Sequence, residues 1–352
     1  MATLKIQNLV KRYGTFTAVD NLDLDVAEGE FVVLLGPSGC GKTTTLKMIS
    51  GFIEAESGKI LIGSKDITRL PPYRRNLGVV FQNYALFPHM SVYENVAFPL
   101  RRRRSNKSEI DTQVVEALRL VQLDHLASRL PKELSGGQQQ RVAIARALSF
   151  KPEVLLLDEP LSNLDAKLRL EVREQIRELQ RKLGITTVMV THDQEEAMSV
   201  ADRLVVMKSG VVQQIGSSRD VYQRPSNQFV ASFIGSANFL EGSIRDGFFW
   251  ATDDVAFPGG HLPKSTRRAV LRPEAIVLSP VGDSGPTRPT ATVEEVVYLG
   301  SHSEIALRIT PNLRLIVRQQ NDMSRDSSEE PCRPGQTVNY EIGKAAIQPI
   351  SD

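Results

Sequence analysis

Only two cysteines, Cys40 and Cys332, occur in 352 residues, and they stand far apart. That leaves no disulfide framework and points to a reducing compartment. Charge of one sign is not in excess either: 43 Lys and Arg against 41 Asp and Glu leave a formal charge of +2. There is no global electrostatic case for nucleic acid as a partner. Long apolar runs are missing. The longest, "FVVLL" and "VLLL", fall far short of the roughly 20 residues that a membrane-spanning helix needs. The opening "MATLKIQNLVKRYG" has no apolar leader core. The expectation is a chain that is not itself integral to a membrane but is free to dock on something that is. What remains is an ordinary globular composition, 41% hydrophobic, with a length that suits two domains.

Residues 1 to about 235 read as α/β. "EFVVLLG", "NLGVVFQ", "EVLLLDE" and "TTVMVTH" are apolar, β-branched runs of strand length. They alternate with "TTLKMISGF", "AKLRLEVREQIRELQRKLG" and "QEEAMSVADR", which read as helices. This alternation predicts a mainly parallel sheet covered on both faces. Between about 86 and 150 the pattern is mostly helical, a helical insertion in the α/β domain. Beyond about 236 the texture changes to short β-like runs, among them "NFLEGSI", "GFFWAT", "RAVLR", "ATVEEVVYLG", "EIALRIT" and "TVNYEI". Gly, Pro, Asp and Ser punctuate them, and residues 236–352 are expected to form a small all-β barrel. "PVGDSGPTRPT" and "NDMSRDSSEEPCRPG" read as polar loops.

"GPSGCGKT" (Gly36–Thr43) fits G-x-x-x-x-G-K-[ST] and stands between a predicted strand and a predicted helix. In that setting Gly36, Ser38, Gly39, Cys40 and Gly41 present backbone amides to phosphate oxygens at a helix N-terminus. Lys42 reaches the outer phosphates, Thr43 is placed for Mg²⁺, and Thr44 can donate to a nearer phosphate. Cys40 reads as a small packed residue rather than a nucleophile. "VLLLDEP" then delivers two carboxylates at the end of a buried strand. Asp158 suits Mg²⁺, and Glu159 suits polarising an attacking water. A glycine turn and a pair of solvated acids are the plain alternatives, and each loses weight because the other motif is present. One further stretch, "LSGGQQQRVAIARAL" (Leu134–Leu148), opens a helix with Ser135, Gly136, Gly137 and Gln138. A hydroxyl and bare amides at a helix start make a second phosphate-sized site in the same chain.

"LSGGQ", together with the other motifs, resembles the signature of the ATP-binding-cassette ATPases, over residues 3 to about 235. The resemblance implies a P-loop ATPase that binds ATP and Mg²⁺ and pairs head to tail with a second copy of itself. Each ATP would then lie between one P-loop and the partner's signature helix. It also implies roles for single residues. Tyr13 would stack on adenine, and Gln82 would touch Mg²⁺ and water and sense a membrane partner. Asp165 would cross the dimer interface, and His192 would contact the γ-phosphate. Residues read without the resemblance leave plainer options open. Tyr13 could be a packed strand-edge tyrosine, Gln82 a polar strand end, and Ser162 or Asp165 a helix cap.

The tail segments "RPSNQFVASFIGSANFLEG", "LRPEAI" and "VVYLGSHSEI" resemble the C-terminal β-barrel of importer ATPases. With "FQNYALFPHMSVYENVAFPL" they look most like the polyamine, iron and phosphonate branch. The sugar and glycerol-phosphate branch stands close behind. The resemblance implies a homodimer on the cytoplasmic face of the inner membrane. It would be joined to two membrane permease subunits, served indirectly by an extracytoplasmic solute-binding protein, and would have no specific nucleic-acid partner. A nucleotide-gated regulatory module without transport is the alternative of a different class. The run Arg101–Arg104 reads as a solvated face, with contact to anionic lipid headgroups as the sharper option.

Overall fold

The structure is a computed structural model and describes residues 2–103, 106–281, 289–321 and 332–351. The chain divides into two compact units, Met1–Ser218 and Arg219–Asp352.

In the first unit, β1 (Leu4–Tyr13) and β2 (Phe16–Val26) form an antiparallel hairpin that turns at Gly14, where φ is 59°. β3 (Phe31–Leu35) is buried at all five positions and runs into the glycine-rich loop and α1 (Lys42–Ser50). β4 (Ser57–Ile62), the short β5 (Lys65–Asp66) and β6 (Leu77–Val80) follow. Then come three helices: α2 (Val92–Arg102), α3 (Lys107–Leu120) and α4 (Gly136–Leu148). Each opens on a capping box, at Ser91, Asn106 and Ser135, with the N3 side chain bonded back to the N-cap amide. β7 (Val154–Asp158), α5 (Ala166–Leu183), β8 (Thr186–Thr191), α6 (Gln194–Val200), β9 (Arg203–Lys208) and β10 (Val211–Gly216) complete the unit.

The six-stranded sheet has the order β10-β9-β3-β8-β7-β6, parallel throughout except for β10. Its central strands are buried on both faces, and this is why they read as unbroken apolar runs. β2-β1-β4-β5 form a separate antiparallel sheet, which the sequence reading did not anticipate. β1 alternates only in pieces, because its pairing with β2 shifts register three times, between Ile6 and Leu9, Leu9 and Lys11, and Lys11 and Arg12. Each shift breaks the period of two. The expected helix "QEEAMSVADR" stops at Val200, because the Asp202 carboxylate is bonded to the Phe31 amide and to Arg177.

The far end of α1 is held by Arg75, which is only 4% exposed. Its guanidinium donates to the carbonyls of Met48 (2.6 Å), Ile49 (2.7 Å), Leu70 (2.7 Å) and Thr68 (2.8 Å). It therefore satisfies acceptors that the last turn of a helix leaves orphaned.

In the second unit, α7 (Ser218–Gln223) and α8 (Gln228–Phe233) precede eleven short strands among the described residues. β11 (Asn238–Glu241), β15 (Arg268–Leu271) and β21 (Ile347–Pro349) form one sheet. β12 (Ser243–Arg245), β13 (Phe248–Trp250) and β14 (Ala256–Pro258) form a second. β16 (Ile276–Pro280), β17 (Thr290–Tyr298), β18 (His302–Thr310), β19 (Leu313–Gln320) and β20 (Thr337–Ile342) form an antiparallel third. One core of Leu240, Phe249, Phe257, Val293, Ile305, Leu315 and Val338 lies among them, giving a small all-β, OB-like domain. β14 was not foreseen, since "AFP" is too short to show a period. The two polar loops predicted here fall largely on 282–288 and 322–331, outside the described residues.

The sequence texture changes at about 235, whereas the compact units meet at Ser218 and Arg219. Arg272 accounts for the difference, since it donates to the carbonyls of Tyr222, Ala231 and Ser236 and lies over the Tyr222 ring. It ties α7 and α8 to the β domain that follows them.

Candidate active site

Four neighbouring parallel strands, β3, β8, β7 and β6, deliver functional side chains at their carboxyl ends. This is where open α/β sheets place ligands. The loop after β3 is sterically specified. A Cβ on Gly36 would stand 2.3 Å from the Met207 carbonyl oxygen, and one on Gly41 would stand 2.2 Å from that of Ala18. Gly39 and Gly41 have φ of 79° and 104°, a region that L side chains rarely occupy. Lys42 is buried, and its Nζ donates to the carbonyls of Gly36 (2.7 Å) and Pro37 (3.0 Å) and approaches Cys40 Sγ at 3.6 Å. Cys40 is packed beneath the loop, as a small buried residue. Ser38 and Gly39 are exposed, while Thr43 and Thr44 are partly so.

Asp158 ends β7 and is 8% exposed. Burial pushes its carboxyl above the ordinary range. Lys47, the Thr43 hydrogen bond and Lys42 oppose that shift, while Glu159 adds to it. Thr43 Oγ1 donates to Asp158 Oδ1 at 3.4 Å. This hydroxyl–carboxylate pair beside a phosphate cradle fits Mg²⁺, which takes one or two carboxylate ligands and fills the rest with water and phosphate. Among the described residues there is no group of three or more His, Cys, Asp or Glu that could hold a metal. A cage made by protein alone is therefore not what these residues build.

Glu159 stands at φ 44°, a left-handed conformation for a residue with a long side chain. Such a backbone costs about 1–3 kcal/mol and persists when its surroundings over-determine it. Here the Glu159 amide donates to the Val190 carbonyl at 3.0 Å, and Ser162 Oγ donates to the Glu159 carbonyl at 3.0 Å. Glu159 Oε2 accepts from Gln82 Nε2 at 3.2 Å and lies 3.3 Å from His192 Nδ1. Residues from β6, β7 and β8 thus meet on one carboxylate oxygen. Asn163 Nδ2 in turn donates to the Gln82 carbonyl at 2.9 Å.

The remaining predicted residues are local in this chain. Tyr13 ends β1, is 48% exposed, and has Lys11 Nζ 5.3 Å from its ring centroid. Asp165 caps α5 by accepting from the Leu168 amide at 3.0 Å. Ser135 Oγ accepts from the Gln138 amide at 3.3 Å, and Gln138 Oε1 accepts from the Ser135 amide at 2.9 Å. None of these bonds reaches the Gly36–Thr43 loop. Gly137 is buried, and a Cβ there would stand 2.7 Å from a Leu168 methyl carbon. A Cβ on Gly136 would be 3.9 Å from the Tyr84 hydroxyl.

The sequence reading missed Ser162 as the support of Glu159, and Asn163 and Arg146 altogether. Arg146 Nη1 and Nη2 donate to the carbonyls of Ala85 (2.6 Å) and Tyr84 (2.8 Å), just after Gln82. No spacing rule reveals an arginine that bonds backbone carbonyls 61 residues away. In the arginine run, Arg101 and Arg102 are exposed at the end of α2, and Arg103 lies 4.0 Å over the Phe150 ring. Arg104 falls outside the described residues. No helix among those described is long and apolar enough to cross a membrane.

A glycine cradle, a buried lysine and a two-carboxylate strand end on a parallel sheet define an ATP-hydrolysing P-loop cassette, here followed by a small all-β domain. The ABC transporter family model matches residues 19–162, and a TOBE domain model matches 269–348. The chain is 48% identical over 348 residues to the spermidine/putrescine import ATP-binding protein PotA of Rubrobacter xylanophilus, covering 96% of this chain and 90% of the relative. It is 56% identical over 242 residues to the Fe(3+) ions import ATP-binding protein FbpC of Fusobacterium nucleatum, covering 69% of this chain and 65% of that protein. A solved dimeric ATP-binding cassette in a post-hydrolysis state with ADP and Pi is 34% identical, with a TM-score of 0.54. It matches 61% of this chain and 99% of its own. The chain belongs to the ABC transporter family, among its ATP-binding subunits.

Proposed function

We propose that this chain is the ATPase subunit of an importer, closing head to tail with a second copy around two ATP molecules. The observation that carries the reading is the convergence of Gln82, Glu159 and His192 on one carboxylate oxygen beside the Gly36–Thr43 loop. Lys42, now held by its own loop's carbonyls, exchanges them for phosphate oxygens, a stronger charge-assisted pairing. Thr43 and Asp158, with Gln82 at the edge, would hold Mg²⁺, which neutralises charge on the phosphate oxygens. Glu159 takes the proton of the attacking water. Its left-handed backbone and two side-chain neighbours fix its direction. His192 faces the γ-phosphate, and the exposed Tyr13 stacks on adenine. Ser135, Gly136 and Gly137 cover the γ-phosphate of the partner's ATP, and Asp165 lies at the same interface. In this reading the β domain, with α7 and α8 tied to it by Arg272, regulates the pair.

The importer would comprise two permease subunits, this chain as a pair on the cytoplasmic face of the membrane, and an external solute-binding protein. The names of the relatives favour polyamine or ferric iron as cargo. Loss of labelled putrescine uptake on gene deletion would identify the first, and loss of ferric iron uptake the second. For the chemistry, Glu159→Gln should bind ATP as the native chain does and elute as an ATP-dependent dimer. Its turnover should fall by about 10²–10⁴, the usual worth of a general base. Native turnover in that variant would remove Glu159 from the role.

A further inference from the structure

The segment joining Gln82 to Phe87 is fixed at three points. At its start, Gln82 bonds Glu159 through its side chain and receives Asn163 at its carbonyl. At its end, the Phe87 amide donates to Asn95 Oδ1 at 2.8 Å, and Asn95 Nδ2 returns to the carbonyls of Phe87, Met90 and Ser91. Asn95 is fully buried on α2, so this end is rigid. Between these points, Tyr84 and Ala85 are both left-handed, with φ of 62° and 47°. Two successive non-glycine residues in that region need an external constraint. The amides of Tyr84 and Ala85 bond locally to the carbonyls of Phe81 (2.9 Å) and Asn83 (2.6 Å), and the constraint from outside the segment is Arg146 in the last turn of α4, whose fork reaches both carbonyls at 2.6 and 2.8 Å. Its guanidinium also lies 5.9 Å from the Phe87 ring. Among the described residues no carboxylate pairs with it, and burial lowers its pKa to about 10. Tyr84 is itself buried beside the start of the same helix, its hydroxyl 3.9 Å from where a Gly136 Cβ would stand. Arg146, near the end of α4, therefore holds the residues two and three positions after Gln82, and the start of the same helix lies beside the first of them.

We infer that Arg146 is a positioning residue for hydrolysis. By locking Tyr84 and Ala85 in the left-handed turn it aims Gln82 at Glu159, and so ties the catalytic carboxylate to the helix that opens at Ser135. The inference rests on the proposed roles of Gln82, Glu159 and Ser135. It adds a group that touches neither nucleotide nor reacting atoms. Arginine suits the task because its planar fork presents parallel donors to two carbonyls. A lysine ammonium keeps the charge but lacks the fork.

The test uses the full chain with Arg146→Met, Arg146→Lys, Ala85→Gly, and Ala85→Gly combined with Arg146→Met. Nucleotide binding is followed with a fluorescent ATP analogue and turnover by phosphate release. Arg146→Met should lower kcat by about 10–100-fold, since displacing an orienting group by an ångström costs that much. KM for ATP should stay within about twofold, because Tyr13, Lys42 and the loop amides are untouched. Arg146→Lys should fall between the two and serves if the methionine variant folds poorly. Glycine adopts positive φ without strain, so Ala85→Gly should return about a third or more of the lost kcat in the Arg146→Met background. It should change the native chain by less than about twofold. A purely structural arginine would show no such recovery. Hydrogen exchange should quicken at residues 82–87 in Arg146→Met and stay unchanged in α1. Native kcat in Arg146→Met, a loss confined to KM, or no recovery on adding Ala85→Gly overturns the inference. Failure of the native chain to hydrolyse ATP would instead overturn the proposed function. The exchange pattern would still report whether Arg146 locks the turn.

Discussion

Replacing Arg75 by methionine keeps most of the side chain's volume and removes four hydrogen bonds at once. Each is charge-assisted and short, between 2.6 and 2.8 Å, and would be worth about 1.5–3 kcal/mol alone. Against that stands the cost of burying a guanidinium without a carboxylate partner, several kcal/mol. The same burial lowers its pKa. The balance is set by what the carbonyls of Met48, Ile49, Leu70 and Thr68 do next. Water can reach the carbonyls of the buried Met48 and Ile49 only if the last turn of α1 opens, because Arg75 is 4% exposed and a Cβ on Gly51 would stand 2.7 Å from its Nε. A net loss of about 3–5 kcal/mol follows. For a unit of this size each kcal/mol moves the melting temperature by about 2–4 °C. Arg75→Met should therefore lower the melting transition of the first unit by about 6–20 °C. Calorimetry resolves it from that of the β domain. Arg75→Lys should recover less than half of the loss, since one ammonium cannot span four acceptors. A drop below about 1 kcal/mol in Arg75→Met, with α1 amides still protected from exchange, would show that the carbonyls find other partners and refute the argument.

Asp158 gives a pH signature. Burial raises its folded pKa above the unfolded value, so the folded state holds its proton more tightly. The associated stability is present below the unfolded pKa and is lost as pH rises through the folded one. In the absence of nucleotide, Asp158→Asn should raise the melting temperature at pH 7–8, with the gain vanishing below about pH 4. A pH-independent difference would contradict this. A chain ending at Gly235 should bind ATP and hydrolyse it at high protein concentration, because every residue assigned to the chemistry precedes residue 200. Its 219–235 segment should exchange rapidly, having lost Arg272. A folded truncation that cannot bind ATP would show that the β domain completes the nucleotide site.

The parts of the molecule that were legible in advance are those whose physics is local. β3, β7 and β8 are buried at every position and so appear as apolar runs. The Gly36–Thr43 loop is dictated by contacts a few ångströms across, which only glycine allows. The helix start at Ser135 was read from the sequence, and the capping boxes that open α2 and α3 at Ser91 and Asn106 are built on the same residue spacing. What escaped is non-local or irregular. The β1–β2 hairpin hides behind three register shifts. The left-handed geometry of Glu159, Tyr84 and Ala85 leaves no mark in residue type, since all three are residues that avoid it when free. Arg75 and Arg146 look like surface charges in the sequence, yet both act by crossing between elements to reach backbone carbonyls. Asp165 was legible in two ways at once, as a cap and as an interface residue, and a single chain displays only the first.

The box at the start of α4 has a kinetic consequence. Ser135 accepts through its oxygen, which leaves the hydroxyl hydrogen undirected. That bond comes from the amide of Gln138, the third helical residue, and the reciprocal bond runs from the Ser135 amide to Gln138 Oε1. The amides of Gly136 and Gly137 keep no carbonyl behind them, as at any helix start. Three donors are therefore arrayed before any ligand arrives, on a turn that is already rigid. In the proposed pair, an anion arriving there need not order a loop, so little conformational search is left to slow its capture. Closure of two such subunits should then be governed by how often they meet and how long they stay. Tethering the pair on one membrane assembly, which raises their effective concentration, would speed the cycle without altering a single contact at the phosphate.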